Sequence, residues 1–188
     1  WLKTQIDSGL SIGRAVEYLH ELRQNGRDPA EEVQLQPPAD QPAAPELLSE
    51  QLRSLLLRFD EPGALEVMRR AFALYHIDQV LTEIVQPSLV EIGEAWHRGE
   101  ISIAAEHFAT QFYMQNLLGM ISASIPPLHR GKIVAACAPG EMHQIGLLML
   151  VVMLRWRGWD VKYLGPDLSL ERLEETLNTL HPRVLLFS

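Results

Sequence analysis

Residues 132–146 read Lys-Ile-Val-Ala-Ala-Cys-Ala-Pro-Gly-Glu-Met-His-Gln-Ile-Gly, and this stretch decides the fold of the C-terminal part of the chain. Its first seven residues form a short apolar run, which is typical of a buried strand. Pro139 and Gly140 predict a loop after that strand. The apolar residues from Ile145 to Trp156 predict a helix after the loop. A buried strand followed by a helix is the first unit of a parallel sheet.

The same alternation continues to the end of the sequence. Val161–Leu164 predicts a second strand, Ser169–Leu180 a helix with Ser169 as N-cap, and residues 183–187 a third strand. Strands that alternate with helices predict a right-handed, parallel, doubly wound α/β sheet. Such sheets need about five strands, so we expect about two further βα units after Ser188.

Residues 46–125 predict four helices, because apolar residues recur there at helical spacing in four stretches. Pro62-Gly63 separates the first two stretches, and Pro87 predicts an irregularity in the third. Short connections predict antiparallel neighbours, and therefore a four-helix bundle. The apolar residues of the four stretches are, in order, Leu48, Leu52, Leu55, Leu56 and Phe59; Leu65, Met68, Ala71, Phe72 and Tyr75; Ile77, Val80, Leu81, Ile84, Val85, Ile92 and Trp96; and Ile103, Phe108, Phe112, Leu117 and Ile121.

The remaining residues predict a tether and a short helical piece. Five of the 12 prolines fall in residues 28–45, and proline favours extended backbone, so this stretch predicts a semi-rigid linker. Residues 1–27 are too few to bury a core of their own. The predicted organisation is a helical piece at 1–27, the linker at 28–45, the bundle at 46–129 and the first part of the α/β domain at 130–188.

Composition excludes several classes of protein. The chain has 188 residues, with 16 basic and 24 acidic side chains and a net charge of −8, which argues against a nucleic-acid surface over the whole of it. No apolar run reaches the ~18 residues of a transmembrane helix, so we expect no membrane partner. The one cysteine, Cys137, excludes an intramolecular disulfide and fits a reducing cytosol, so we expect a cytoplasmic protein.

The loop after the first predicted strand carries a Glu141-x-His143-x-x-Gly146 pattern. Ligands of doubly wound sheets lie beyond the carboxyl ends of the strands, and imidazole is a common ligand of transition metals. A carboxylate two residues away is expected to fix the tautomer of His143, and Gly146 lets a large flat ligand approach closely. The pattern lacks the glycines of a dinucleotide site and the Gly-Lys of a P-loop. The alternative is a histidine that caps the helix or faces solvent.

A second candidate site lies where the third and fourth predicted helices meet. Gly99 predicts a helix end and Ser102 the next N-cap. Trp96 and Glu106 would then lie about 5 Å from the turn on antiparallel helices, where they are able to face one pocket. Trp supplies a flat apolar wall and Glu an acceptor for hydroxyl groups. The alternative is a core tryptophan beside a solvated Glu106–His107 pair.

Both motifs resemble those of known cobalamin proteins. Glu-x-His-x-x-Gly after a first strand resembles the cobalamin-binding flavodoxin-like (Rossmann-type) domain, whose usual form has Asp in place of Glu. Trp96, nine residues, then Glu106-His107 resembles the signature of the CarH-type photoreceptors, MerR-family regulators that use adenosylcobalamin. The resemblance covers about 46–188. Residues 1–27, notably Ile6-Asp-Ser-Gly-Leu-Ser-Ile12, look like the end of a MerR-type winged-helix DNA-binding domain.

The resemblance implies a role for each candidate residue. The corrin ring would lie between bundle and sheet, with the bundle over its upper face. In the family the histidine of the loop is the lower axial ligand of cobalt, so His143 is expected to hold the metal and Glu141 to be its partner. The other implied roles are Ser188 near the benzimidazole tail, Trp96 packed over the 5′-deoxyadenosyl group, Glu106 hydrogen-bonded to that group, His107 beside it, and His97 as the upper cobalt ligand after photolysis.

The resemblance also implies a function that is not enzymatic. The cofactor would stabilise a DNA-binding homotetramer in the dark that represses transcription, and light would break the cobalt–carbon bond and disassemble it. One alternative is the corrinoid carrier module of a cobalamin-dependent methyltransferase, which would share the bundle, the sheet and the axial histidine. Another is a binding module that has lost cobalamin.

Overall fold

The computed structural model describes His20 and residues 43–188 of the chain. The chain divides into two compact units, residues 1–44 and residues 45–188, and all the elements described here belong to the second. The predicted winged-helix piece and most of the predicted linker therefore lie outside the described residues.

The helical part follows the predicted order of four helical stretches. The third stretch, residues 77–97, is continuous but contains a π-helical segment. The elements are α1 (Pro45–Leu57), α2 (Glu61–Leu74), α3 (Ile77–Gln79), the π-helical segment (Val80–Val85), α4 (Gln86–His97) and α5 (Ile103–Ala123).

The start of α2 differs from the sequence expectation. Pro62-Gly63 was expected to separate the first two helices, but both residues lie in the first turn of α2. Asp60 is the N-cap, and its Oδ1 accepts the Gly63 N–H at 3.0 Å. Proline is tolerated in the first turn because the N–H it lacks has no partner within the helix there. The pair therefore begins the helix rather than breaking it.

The irregularity predicted near Pro87 is the π-helical segment directly before α4. The Gln86 N–H donates to the carbonyl oxygen of Leu81, five residues earlier. Pro87 has no N–H, and in a regular helix its ring would clash with the carbonyl group four residues earlier. A wider turn at this point lets the helix continue past the proline.

The bundle core is mostly apolar and contains one buried, hydrogen-bonded polar pair. The Tyr113 hydroxyl donates to Ser88 Oγ at 2.6 Å, and burial raises the pKa of Tyr113 far above its usual range. Each hydroxyl therefore has a hydrogen-bond partner, and the pair links α4 to α5. The fully buried apolar side chains around it include Leu48, Leu52, Leu56, Leu81, Ile84, Ile92 and Leu117.

The C-terminal part is a parallel three-stranded sheet in the order β2-β1-β3. Ile133 of β1 lies opposite Val161 of β2 and Val184 of β3. This confirms a parallel sheet in which the chain crosses from one side of β1 to the other. The elements are β1 (Lys132–Ala136), α6 (Ile145–Trp156), β2 (Asp160–Tyr163), α7 (Leu173–Leu180) and β3 (Pro182–Phe187).

The prediction that Ser169 caps the second helix of this part is wrong. Ser169 Oγ does accept a backbone N–H, but that of Glu171 in a turn at 3.2 Å. The helix begins only at Leu173, after Arg172 in a left-handed conformation with φ of 57°. A serine that bonds two residues ahead makes a local turn, and such turns compete with helix formation.

The bundle and the sheet meet at the C-terminal ends of α5 and α6. Arg155 donates from Nη1 to the Ile121 carbonyl oxygen at 2.7 Å and from Nε to the Val161 carbonyl oxygen at 3.2 Å. Ile121 also packs against the sheet core, which contains Ile133, Ala135, Cys137, Leu147, Val151 and Val161. Within the part of the chain that the structure describes, no helix is both long and apolar enough to cross a bilayer.

Candidate functional site

The strand order places the topological switch point of the sheet at the carboxyl ends of β1 and β3. In a doubly wound sheet, ligands bind where successive connections leave to opposite sides, and here that point lies between these two strands. Ser188 continues the pairing beyond β3, since its N–H donates to the Ala136 carbonyl and its own carbonyl accepts the Ala138 N–H, each at 3.2 Å. Its hydroxyl lies 3.9 Å from Cys137 Sγ.

The loop after β1 holds Glu141 and His143 together. Glu141 Oε1 accepts the His143 backbone N–H at 2.6 Å and lies 2.7 Å from His143 Nδ1. These contacts, the backbone one first, hold the pKa of the Glu141 carboxyl below its usual range. A carboxylate only accepts, so the proton of a neutral imidazole lies on Nδ1 and the lone pair on Nε2.

The His143 ring is directed outward. Its side chain is 96% exposed, and Glu141 engages only the Nδ1 side of the ring. This exposure agrees with the alternative of a solvent-facing histidine. It does not agree with a helix cap, since Gln144 is the N-cap of α6 and no side chain caps that helix. An imidazole with a fixed tautomer and a free Nε2 is the arrangement found at metal-ligating histidines.

The glycine of the motif leaves open space beside the loop. A Cβ added at Gly146, in the first turn of α6, would meet no heavy atom within 4 Å. Gln144 directly precedes α6, and its Oε1 accepts the Tyr163 hydroxyl at 2.6 Å. Burial raises the pKa of Tyr163 to about 12, so the hydroxyl stays a donor at neutral pH. Sequence reasoning missed Tyr163, because it contacts the loop from the neighbouring strand.

The turn between α4 and α5 follows the sequence expectation. Gly99 has φ of 73°, its N–H donates to the Trp96 carbonyl, and the Glu100 N–H donates to the Ala95 carbonyl. This is a Schellman motif with glycine at its left-handed position. Ser102 Oγ accepts the Ala105 N–H at 3.2 Å, which confirms Ser102 as the N-cap of α5.

The residues of the second candidate site, on both sides of this turn, lie at one end of the bundle. Trp96, 45% exposed, and His97 lie in the last turn of α4. Glu106 lies in the first turn of α5, and His107 directly follows it. A core position for Trp96 is thereby excluded. That Trp96 and Glu106 face one pocket stays a prediction.

Glu106 is held more firmly than a solvated carboxylate. Its Oε2 lies 2.6 Å from His107 Nδ1, and its Oε1 accepts the Thr110 hydroxyl at 2.8 Å. Only 21% of the Glu106 side chain is exposed, against 70% of His107. Thr110 was missed by sequence reasoning, although its spacing four residues after Glu106 is the signal that places both on one helix face.

Glu106 and the loop of His143 lie at the N-terminal ends of α5 and α6. Helices α5 and α6 pack against each other and both end where Arg155 bonds Ile121. The C-terminal ends of both helices thus lie at this junction, and their N-terminal ends lie away from it. Along the helix axes, Glu106 lies about 22 Å and Ile145 about 15 Å from the junction. Ile145 directly follows the loop of His143, so Glu106 and His143 both lie away from the junction, toward the N-terminal ends of these helices.

The donor set fits a metal that brings most of its ligands with it. Among the residues that the structure describes, no group of three or more His, Cys, Asp or Glu side chains is arranged to hold a metal ion. A bare ion such as Zn²⁺ needs three or four protein ligands. A metal already held in a macrocycle needs only an axial ligand, and the exposed Nε2 of His143 is able to supply one.

Comparison with known families agrees with this chemistry. Residues 48–121 match one family model and residues 131–188 match another, and each is described as a B12 binding domain. Both are matches to B12-binding domains. The cofactor that they indicate is cobalamin or another corrinoid, and the helical domain followed by a parallel sheet is the arrangement that they cover.

Two curated relatives match nearly the whole chain. It is 28% identical to the HTH-type transcriptional repressor CarH of Myxococcus xanthus over 96% of its length, and 26% identical to the HTH-type transcriptional repressor CarA of the same organism over 97%. The chain spans 60% and 56%, respectively, of the length of these two relatives.

A solved structure shares the fold of the B12-binding domains. The monomethylamine corrinoid protein of Methanosarcina barkeri superposes with a TM-score of 0.60 and 21% identity, over 77% of this chain and 70% of that one. At this identity the likeness concerns the fold alone. It confirms the order of a helical domain followed by the α/β domain.

Proposed function

We propose that this chain is the cofactor-binding part of an adenosylcobalamin-dependent, light-responsive transcriptional repressor. The observation that carries the proposal is the Glu141–His143 pair at the switch point of the sheet, with Nδ1 held and Nε2 free in an exposed ring. The names of the two relatives, both transcriptional repressors, support regulation over catalysis.

The α/β domain would hold the lower side of the cofactor. His143 would be the axial ligand of cobalt, Glu141 would keep its ring in the Nδ1–H tautomer, and the open space at Gly146 would admit the flat ring. Ser188 would lie beside the benzimidazole tail. When bound, adenosylcobalamin would supply a light-absorbing centre with a cobalt–carbon bond that light breaks.

The bundle would hold the upper side. Trp96 would pack on the 5′-deoxyadenosyl group, Glu106 would accept its hydroxyl hydrogen bonds, and His107 would lie beside it. After light, His97 would take the upper cobalt position. Helices α5 and α6 pack against each other and carry Glu106 and the His143 loop at their N-terminal ends, which supports one bound molecule shared by both domains.

The proposed output is a change in assembly. The dark cofactor would stabilise a homotetramer, and several linked DNA-binding domains bind operator DNA far more tightly than one. Loss of the upper group would shift the bundle toward an arrangement that does not assemble, since a ligand shifts a population by its differential affinity for two states. DNA would then be released.

The test is the His143→Gln variant, with His181→Asn as control. His181 ends α7 with φ of 50°, a conformation that asparagine tolerates, and lies outside the candidate site. We expect His143→Gln to weaken cobalamin binding by about 100-fold and to abolish the dark shift to higher mass. The measurements are absorbance spectra before and after green light and the mass in solution.

Equal spectra and equal mass for wild type and His143→Gln would contradict the axial role. A wild-type protein that binds methylcobalamin and passes its methyl group to a thiol or a folate would instead be a corrinoid carrier. A wild-type protein that stays colourless after incubation with adenosylcobalamin would be a module without this cofactor.

A further inference from the structure

The loop after β2 contacts the loop that carries the candidate axial ligand. Asp167 Oδ1 accepts the Gly140 N–H at 2.7 Å, and the Asp167 N–H donates to the Glu141 carbonyl oxygen at 3.0 Å. The Leu168 N–H also donates to the Cys137 carbonyl at 3.1 Å. Asp167 itself has φ of 48°, a left-handed conformation in which aspartate is one of the few non-glycine residues found regularly.

The direction of the Gly140 N–H depends on the type of turn that residues 138–141 form. The Glu141 N–H donates to the Ala138 carbonyl at 3.0 Å, and Gly140 has φ of 81°, so residues 138–141 form a type II turn with Pro139 at its second position. Type I and type II turns differ by a flip of the peptide between their two central residues. That peptide carries the Gly140 N–H, and the Asp167 carboxylate accepts it in one of the two orientations only.

Glu141 is the last residue of this turn, so the contacts that hold the turn also hold the backbone of Glu141. Glu141 Oε1 needs to reach both the backbone N–H and Nδ1 of His143, at 2.6 and 2.7 Å. Asp167 fixes the backbone on both sides of this point, since it holds the Gly140 N–H and the Glu141 carbonyl oxygen.

We propose that Asp167 is a positioning residue for the axial ligand: by bonding the Gly140 N–H and the Glu141 carbonyl oxygen it holds the turn at residues 138–141, keeps Glu141 bonded to Nδ1 of His143 and leaves Nε2 free. The proposal rests on the proposed function only in that a ligand uses this Nε2. Its geometric part concerns the chain without any cofactor.

The first experiment is therefore done on the apo chain. ¹⁵N NMR of the imidazoles reports the tautomer of His143, whose signal is the one lost in His143→Gln. We expect wild type and Asp167→Asn to show the Nδ1–H tautomer, because the asparagine Oδ1 still accepts the Gly140 N–H. Asp167→Ala removes the acceptor, and we expect the Nε2–H tautomer to gain population. The control is Glu171→Ala, which removes an exposed carboxylate in the same loop.

The second experiment adds hydroxocobalamin to the same four proteins. We expect Asp167→Ala to bind it about 10-fold more weakly, the usual cost of losing a group that orients a metal ligand, and Asp167→Asn and Glu171→Ala to bind as wild type does. Cob(II)alamin in Asp167→Ala should still show one axial nitrogen in its electron paramagnetic resonance spectrum, because His143 is retained.

An unchanged His143 tautomer in Asp167→Ala overturns the positioning role, whatever the cofactor does. A shifted tautomer in a chain that binds no cobalamin overturns the proposed function and leaves the positioning role standing. If Asp167→Ala does not fold, the positioning role is tested by hydrogen exchange of the Gly140 amide in wild type and in Asp167→Asn. A protected amide in both supports the role, and an amide that exchanges freely in wild type overturns it.

Discussion

Two acid–histidine pairs share one chemistry at the scale of single residues but differ in their surroundings. In each pair a glutamate oxygen faces Nδ1, at 2.7 Å for Glu141–His143 and 2.6 Å for Glu106–His107. His143 is almost fully exposed on a loop, whereas Glu106 is mostly covered in a helix and also accepts from Thr110. The first pair presents an exposed ring, and the second presents a carboxylate whose geometry is fixed.

Trp96 provides the residue-scale prediction. It is 45% exposed, so Trp96→Ala is expected to change the free energy of unfolding by about 1 kcal/mol or less and to leave hydroxocobalamin binding intact. Because Trp96 is proposed to pack on the adenosyl group, the variant should lose the dark, adenosylcobalamin-dependent increase in mass, measured by sedimentation.

The matched control is Trp156→Ala, since Trp156 is similarly exposed at 42% but lies at the far end of α6. It should assemble as wild type does. Normal dark assembly of Trp96→Ala would remove Trp96 from the proposed contact.

At the scale of elements, the turn between α4 and α5 depends on glycine. Gly99 has φ of 73° with open space around it, so Gly99→Ala is expected to destabilise the chain by about 1 kcal/mol through backbone strain alone. Gly119→Ala, also in open space but inside α5, should stabilise by about 0.5–1 kcal/mol. Urea unfolding measures both, and changes of the same sign would contradict the role of the turn.

Sequence patterns predicted elements well where the determinants are local. Ser102 caps a helix through the N–H of Ala105, three residues ahead, and β1 is an apolar run bounded by a turn. The start of α7 could not be predicted in this way. Leu168 bonds Cys137 of another strand, and Arg172 adopts a left-handed conformation, so contacts far along the sequence set where that helix begins.

At the scale of the whole molecule, two arginines of the α/β domain bond the bundle, and Arg155 is the less exposed of the two. Arg155 bonds carbonyl oxygens of α5 and β2, 34 and six residues away in sequence. Hydrogen bonds from a charged donor contribute about 1.5–3 kcal/mol, so Arg155→Ala is expected to lower the free energy of unfolding by that amount and to expose residues 124–131 to proteolysis.

The control is Arg157→Ala, two residues further on. Arg157 bonds Asp78 at 2.6 Å, but both side chains are well exposed, so its removal should cost about 1 kcal/mol or less. Equal losses in the two variants would contradict a special role of Arg155 at the junction.

The order of the two domains could be predicted from sequence because each carries its own motif. The contacts that tie them and shape the site could not. Asp167 reaches Gly140 across 27 residues, and Arg155 reaches Ile121 across 34. Neither spacing has a helical or strand period, and only the fold brings these residues together.

The strand β1 is buried, and the loop after it is bonded by Asp167 of the next loop. This division has a consequence for protein engineering. Residues 133–137 are buried, whereas Met142 and His143 project from them into solvent. The segment 138–144 is thus a loop that can be exchanged as a unit. Asp167, which bonds this loop, lies on a different part of the backbone. Swapping this loop together with that aspartate would transplant a ligand loop while leaving the scaffold beneath it untouched.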